Sequence, residues 1–569
     1  MQRRANIRPP SQQSSSRMDT RSSPLRTSKS LRPSLTPRIT IFLLIVFVIF
    51  LFTRLTLFPD SPSTFPYGSR NGFISRNLVA RNYLNVSAHD PAPFSFCPIY
   101  GPGDELAKLY TASSLHKSNL HRGSSARVQQ VINKALRGQP VTISVLGGSV
   151  TACHGAGDEP LSPSCYPAQF FDWWNTVFPH PASELTNGAR RRTDSSYFSY
   201  CNSHHLPDKT DLVILEFDTD DQQDEAWMGH FELLVRSILI RPEQPAVIIL
   251  GHFSPQLQGI HGYAGPEQLH TSVAQFYDVP HISAKGLLYN GYLHNPSLLR
   301  EKYYTDPVLA NPGGHRILAD VLIHYFQEQI CTGWSAIRGY TFDVPVPGYP
   351  SDSNAVVADS EGLFRGMDAR KGETNEVDDT KVMKKKKKPS AADSRPAVSL
   401  HVPPYLLSTR PFIDGGSDPY IFQEVHPFCV SANDLINPLP SSLFFGSGWH
   451  IQKPQNSIAD SMTPSDAYYW YATYPTSKLR VPVTISGGNV VIWYLSQDPD
   501  ALVSEISCWV DNNYKGAVTI GGVRSGPPTP MIQVIDSNVA SGSHYIECQL
   551  LGEEGVQVPS FKILGIFTS

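Results

Sequence analysis

Val141-Thr142-Ile143-Ser144-Val145-Leu146-Gly147-Gly148-Ser149-Val150-Thr151-Ala152-Cys153-His154-Gly155 is the stretch on which the reading of this chain turns. Six residues dominated by β-branched and aliphatic side chains run into two glycines, and a serine follows. An apolar run of that length without polar alternation reads as a strand buried on both faces, the habit of parallel sheets. Glycines just before Ser149 let the backbone turn sharply, which would lift the hydroxyl above the carboxyl edge of the sheet as a nucleophile requires. The segment is not the Gly-x-Ser-x-Gly elbow, because Thr151 stands where its last glycine belongs. A Gly-Gly-Ser turn also serves plain structural ends, so the surrounding sequence has to decide.

Outward from that point, residues 211–217 and 246–251 repeat the Val/Ile/Leu-rich strand pattern. Residues 127–136, 166–177, 225–239 and 313–330 place apolar side chains at helical spacing. The alternation predicts an α/β domain over residues 120–340, a parallel sheet with helices on both faces and its ligands at the carboxyl ends of the strands. Residues 351–400 mix acids with the run Lys384 to Lys388 and hold a single aromatic, Phe364, which predicts a disordered, solvated linker. From 401 to 569 short apolar runs at 481–485, 490–494, 505–510, 517–520, 531–535, 544–550 and 560–567 are separated by Gly, Pro, Asn and Asp, predicting a β-sandwich or jelly roll. Trp449, Tyr468, Tyr469, Trp470, Tyr471 and Trp493 there offer either a sugar-stacking platform or core.

Charge is distributed unevenly along the 569 residues. Residues 1–38 hold nine basic side chains and one acid, Asp19, a net of +8, whereas the rest, with 38 basic and 49 acidic residues, carries −11. The total of −3 leaves no polycationic surface for nucleic acid. Residues 39–58 are apolar apart from Thr40, Thr53, Arg54 and Thr56; as a helix they match the roughly 30 Å of a bilayer core. A basic tail ahead of one such segment predicts a signal anchor, with the tail cytosolic and everything beyond about residue 59 lumenal or extracellular. The expected plan is thus a single-pass type II protein of the Golgi or another secretory membrane, with a Pro/Ser/Asn-rich stem over 59–119. The eight cysteines, Cys97, Cys153, Cys165, Cys201, Cys331, Cys429, Cys508 and Cys548, all lie past the anchor and suit disulfides in an oxidising compartment. Cys508 and Cys548 fall inside two of the expected strands and are the pair most readily joined. Asn85-Val86-Ser87 is a glycosylation sequon in the stem.

Three further segments join the one quoted first. Asn187-Gly188-Ala189 follows a helical stretch, Glu216-Phe217-Asp218-Thr219-Asp220-Asp221 closes the next strong strand, and residues 306–315 lead into the last helix. In this order, over roughly 140–330, the chain resembles the SGNH (GDSL-type) hydrolase superfamily. The resemblance implies a three-layer α/β/α, flavodoxin-like domain and an ester-cleaving serine, with neither cofactor nor metal. It places the nucleophile at Ser149 and an oxyanion hole at the amides of Ser149 and Gly188 with Asp220 as third donor. It also sets Asp306 as the aspartate that orients a base, and the β-rich tail resembles accessory domains of such enzymes. In two places the chain departs from the pattern. Asp220 stands where the family has an asparagine donor, and an ionised carboxylate only accepts hydrogen bonds. Leu309 stands where the family's histidine lies, three residues after Asp306. His315 is the nearest replacement base in sequence, although the family carries a structural histidine there; His154, His252 and His294 are others. Arg190, Arg191 and Arg192 after the second block offer guanidinium groups to an anionic substrate group.

Three readings follow. The leading one is a serine ester hydrolase or O-acyltransferase acting on acylated glycans in the secretory lumen or at the cell surface. The second is a catalytically impaired relative that keeps the pocket as a glycan- or protein-binding module. The third is a Golgi glycosyltransferase that holds a divalent cation on Asp218-x-Asp220.

Overall fold

β2 (Thr142–Gly147), β4 (Leu212–Glu216) and β5 (Ala246–Gly251) are the three apolar runs, and apart from Thr142 every residue in them is buried. Strands without a polar face need cover on both sides. The helices Ala126–Leu136, Tyr166–Val177 and Pro312–Ile337 pack together on one face of the sheet. Ser195–Cys201, Glu225–Leu239 and Pro266–Phe276 pack together on the other. β3 (Glu184–Asn187) and β6 (His281–Ser283) extend the parallel set, and β1 (Asn119–His121) closes one edge antiparallel to β6, giving the order β1-β6-β5-β4-β2-β3. Counted along the chain, the five parallel strands follow the 2-1-3-4-5 order of flavodoxin-like sheets, so the strand order reverses between β2 and β4. Ser149 and Asp220 leave the carboxyl ends of those two strands.

The computed structural model describes residues 78–85, 93–338, 400–409, 422–432, 448–453, 468–498, 500, 502–524 and 528–569. The basic tail, the apolar segment 39–58 and, except for Leu400, the linker 351–400 lie outside them. No described helix is long and apolar enough to cross a membrane. One boundary moves: part of the expected stem belongs to the α/β domain. Phe94 and Phe96 are buried, Phe94 edge-on to Trp334, and Cys97 is bonded to Cys331 in the last helix. The short helices Glu105–Leu109 and Ala112–Lys117 follow, capped by Asp104 and Thr111. The polar composition that suggested a stem is outweighed by a few aromatic anchors and one covalent tie.

The tail domain is a β-sandwich, with every strand pair antiparallel. One sheet runs β10 (Lys478–Ile485), β15 (Gly542–Leu550), β12 (Ile506–Val510), β13 (Val518–Ile520). The other runs β14 (Pro530–Asp536), β11 (Val490–Leu495), β16 (Phe561–Thr568), β9 (Tyr469–Ala472), β8 (His450–Gln452), with β7 (Phe428–Ser431) also on β16. β10 alternates exposed and buried residues without exception, as a strand with one wet face should. β11 is buried throughout because both its faces are covered. Val490, Ile492 and Tyr494 enter the sandwich core, while Val491, Trp493 and Leu495 join Tyr197, Phe198, Phe217 and Phe231 in a core shared with the α/β domain. Cys201–Cys429 crosses that interface, and Cys508–Cys548 joins directly paired residues of β12 and β15. Of the six aromatic residues that suggested a platform, Trp449, Tyr469, Trp470 and Trp493 are buried, and Tyr468 and Tyr471 are half-buried. They supply core area, as large aromatic residues usually do.

Candidate functional site

β2 ends in a tight turn in which Ala152 N–H donates to Gly148 O (3.0 Å) and His154 N–H to Ser149 O (3.1 Å). Neither Gly147 nor Gly148 has positive φ. They are glycines for space: a β-carbon on Gly148 would overlap the Asp220 carboxyl, and one on Gly147 would press on Glu216 O and Thr151. Close approach of the β4 loop, rather than the sharpness of the turn, therefore demands these glycines. Thr151, the residue that spoils the elbow pattern, donates its hydroxyl to the buried Glu216 carboxyl (2.9 Å). Burial, with the neighbouring Asp220 and Asp218 adding to it, pushes Glu216 well above the usual carboxylate range.

Ser149 is 9% exposed, and its Oγ accepts one hydrogen bond among the described residues, from Arg192 N–H at 2.9 Å. Arg192 has φ 53°, a conformation that costs a non-glycine residue about 1–2 kcal/mol. The second block thus contributes a different amide from the one the sequence suggested. Gly188 N–H is engaged with Val145 O (3.0 Å), continuing the β2–β3 ladder, and cannot face an oxyanion; Gly188 has no side chain because His205 packs against its α-carbon. Arg190 is also displaced from its expected role. Its guanidinium lies over Tyr197 (5.1 Å) and Trp493 (5.8 Å) and donates to Tyr197 Oη (3.0 Å), inside the domain interface and not toward a ligand. Arg191 binds Asp158 (Oδ1, 3.1 Å). The Arg192 side chain is exposed and makes no hydrogen bond or ion pair among the described residues, which leaves it available to an anionic group.

Asp220 sits over the turn that carries Ser149. Thr219 Oγ1 donates to it (2.9 Å), and so does the Ser149 backbone N–H. Burial lifts its carboxyl to about 7, helped by Asp221 and Asp194 and opposed by those two hydrogen bonds. A protonated Asp220 supplies the single O–H donor that the family's asparagine amide would supply. In the structure the Ser149 N–H is bonded to the Asp220 carboxyl and the Arg192 N–H to Ser149 Oγ.

The last block departs further. Asp306 is exposed, and its Oδ1 accepts from Val308 N–H (2.7 Å) and Leu309 N–H (2.6 Å), closing the turn on itself. With leucine at 309 it orients no imidazole. His315 is wholly enclosed at the start of the helix Pro312–Ile337, stacked on Tyr166, and accepts from Tyr166 N–H (3.3 Å) at Nδ1. Burial, with His252 adding to it, lowers it to about 3, too weak a base for serine activation near neutrality; the structure gives it a packing role. His252 donates Nε2–H to Val308 O (3.1 Å), and burial lowers it to about 4. His294 is exposed at the end of the helix Lys285–His294. Asn85 is exposed at the close of the turn Tyr83–Asn85; Val86 and Ser87 lie outside the described residues.

A buried triad unforeseen in sequence holds the loop after β4. His270, on the helix Pro266–Phe276, donates to Asp218 (2.8 Å) and Asp221 (2.9 Å). Burial opposes its charge, but the two carboxylates override that and raise it to about 10, so it is an imidazolium. The period of its helix marks His270 only as inward-facing, and two carboxylates some 50 residues away give no local signal. Asp218 is buried and commits its Oδ1 to His270, whereas Asp220 is held by Thr219 and Ser149, so the two aspartates of the Asp-x-Asp pattern serve different partners. No group of His, Cys, Asp and Glu among the described residues is arranged to hold a metal. A cleft of about 360 Å³ lined by Arg127, Lys134, Arg137 and Asp211 opens at the amino ends of the strands, the opposite end of the sheet from Ser149.

No protein-family model and no curated protein matches the sequence. Among solved structures, two crystal structures of a two-domain esterase active on acetylated mannans align with the chain, one of them co-crystallised with mannopentaose. Each covers 80% of this chain at 16% identity; TM-scores are 0.50 and 0.51, over 97% and 98% of the esterase. The chain therefore shares the fold of that esterase, an α/β domain followed by a β-domain.

Proposed function

We propose that the chain, built on the SGNH fold, is a serine ester hydrolase or O-acyltransferase whose substrates are acylated glycans. The observation that carries the reading is the convergence of donors on Ser149: a hydroxyl at the switch point of the sheet, the Arg192 amide on its Oγ, and Asp220 above its own amide. Ser149 Oγ attacks the acyl carbonyl, these donors hold the developing oxyanion, and the acyl group passes to water or to a sugar hydroxyl. The glycan part of the reading draws support from the two-domain esterase's activity on acetylated mannans. For location, the basic tail and apolar segment 39–58 support a single-pass type II anchor in a secretory membrane with the folded part lumenal or extracellular. Four disulfides with no free cysteine among the described residues suit that oxidising side.

Leu309 and the enclosed His315 favour a second reading, a binding module that has lost turnover. Labelling of the purified chain with a fluorophosphonate separates the two. An adduct mapped to Ser149 and lost in Ser149→Ala supports the hydrolase. No adduct, together with no release of acetate from acetylated mannan, leaves the binding module.

A further inference from the structure

The last block of the fold supplies no imidazole, yet the turn that carries Ser149 has one of its own. His154 closes the turn that Ser149 opens, its amide bonded to Ser149 O. Its Nδ1 lies 2.7 Å from Asp158 Oδ1. A carboxylate can only accept, so Nδ1 donates, and in the neutral ring Nε2 is the nitrogen that accepts. Nε2 makes no hydrogen bond among the described residues, and the side chain is 42% exposed, open to an incoming substrate.

Asp158 is itself held. Its carboxyl is kept below the usual range, first by the hydrogen bond from His154, against a smaller effect of burial, and further by Gly155 N–H and Arg191. Arg191 also donates to Asp158 O (2.8 Å), and the next residue, Arg192, is the one whose amide reaches Ser149 Oγ. One three-residue loop thus ties the His154–Asp158 pair to the nucleophile. The segment is braced from within by Cys153–Cys165 and by Ser162 Oγ donating to Ala156 O (2.6 Å). It also abuts the altered last block: Gly155 has φ 91°, and a β-carbon there would lie 2.8 Å from Ala310 O and 3.5 Å from Leu309 Cβ. The residue beside His154 therefore touches the very position that lacks its histidine.

We infer that His154, oriented by Asp158, is the general base for Ser149, replacing the dyad that Leu309 interrupts. The inference rests on the ester-hydrolase reading above. As Ser149 Oγ bonds to the acyl carbon, its proton passes to His154 Nε2. The bond from that carbon to the departing alkoxide then breaks, and the alkoxide takes the proton from Nε2. Water, or an acceptor hydroxyl, repeats the cycle on the acyl-serine: its proton goes to Nε2, the acyl–Oγ bond breaks, and Oγ recovers the proton. Asp158 touches no reacting atom and is a positioning residue.

The test measures fluorophosphonate labelling rate and p-nitrophenyl acetate turnover on the full chain. His154→Ala and His154→Gln should each lose at least about 100-fold, within the range general-base catalysis contributes, and free imidazole should restore part of the loss in His154→Ala. Asp158→Asn should lower kcat by about 10-fold with KM unchanged, while His252→Ala keeps at least half the rate. If the unaltered chain labels at Ser149 and the folded His154 variants label equally fast, or if His252→Ala is the variant that loses activity, this assignment is overturned and the ester-hydrolase reading survives. If the unaltered chain neither labels nor turns over, both fall. Thermal melting shows which variants are folded; should His154→Ala not fold, His154→Gln, which keeps an amide at that place, decides.

Discussion

Arg192 presents its backbone N–H to Ser149 Oγ at 2.9 Å from a left-handed conformation that a glycine would adopt without cost. The side chain is incidental to that contact; the amide makes it. Because Arg190 N–H is bonded to Gly147 O (3.0 Å) and Arg191 to Asp158, the loop that aims this amide is anchored on both sides of the Ser149 turn.

Asp220→Asn should raise labelling of Ser149 at pH 8 by at least about 10-fold, since removing a single oxyanion donor costs about 10²–10³. Asp220 in the fold titrates at about 7, so above that pH it is an anion facing a developing anion; activity of the unaltered chain should fall as pH rises through 7, and the asparagine variant should not share that fall. Stability carries the same sign. The folded state binds this proton more tightly than the unfolded chain, whose carboxyl has its ordinary value near 3.8, so the contribution is lost progressively as pH climbs from about 4 to 7. Melting temperature against pH should show a slope across that window that flattens in Asp220→Asn.

Leu309→His restores an Asp-x-x-His block with Asp306. In a His154→Ala background it should recover about 10-fold or more of the lost labelling rate, because Asp306 already directs its carboxyl at the backbone of residue 309. Recovery is read from the same fluorophosphonate time course, and its absence would show that the loop 304–310 no longer points position 309 at Ser149.

Arg190→Ala should destabilise the fold by about 1–2 kcal/mol, from a lost stacking contact and a lost hydrogen bond to Tyr197. KM for an acylated oligosaccharide should stay unchanged. Chemical denaturation and a KM determination check the two halves, and a raised KM would return Arg190 to the binding site.

Replacing Cys201 and Cys429 together by alanine should cost about 2–4 kcal/mol. The bridge spans a sequence separation of 228 and pins the β-sandwich onto the helix Ser195–Cys201. The midpoint of urea unfolding should move down, and limited proteolysis should release a fragment containing β8 to β16 more readily than in the unaltered chain.

Much of the fold was legible because it rests on short-range pattern. Runs of Val, Ile and Leu at 141–146, 211–217 and 246–251 became β2, β4 and β5, and seven apolar runs past residue 480 became β10 to β16. Strands such as β3 and β6, at 4 and 3 residues, were too short to announce themselves and exist because the sheet beside them offers a ladder. The phenylalanines at 94 and 96 and the aromatic residues of β9 and β11 look alike in sequence, where a platform, a stem and a core share one composition. Only burial separates them.

The residues that face the reaction divide in the same way. A serine after Gly-Gly at the end of an apolar strand, an aspartate where an amide donor belongs and a leucine where a histidine belongs are facts of local order, and each could be read without coordinates. Which amide reaches Ser149, whether His315 is base or packing, what holds Asp218, and that Asp158 orients His154 depend on groups brought together from separate turns. Hydrogen bonds act over about 3 Å of space, whereas sequence patterning reports neighbours along the chain. Residues 149 and 192 are 43 positions apart and in contact, and only folding into the sheet decides that they meet.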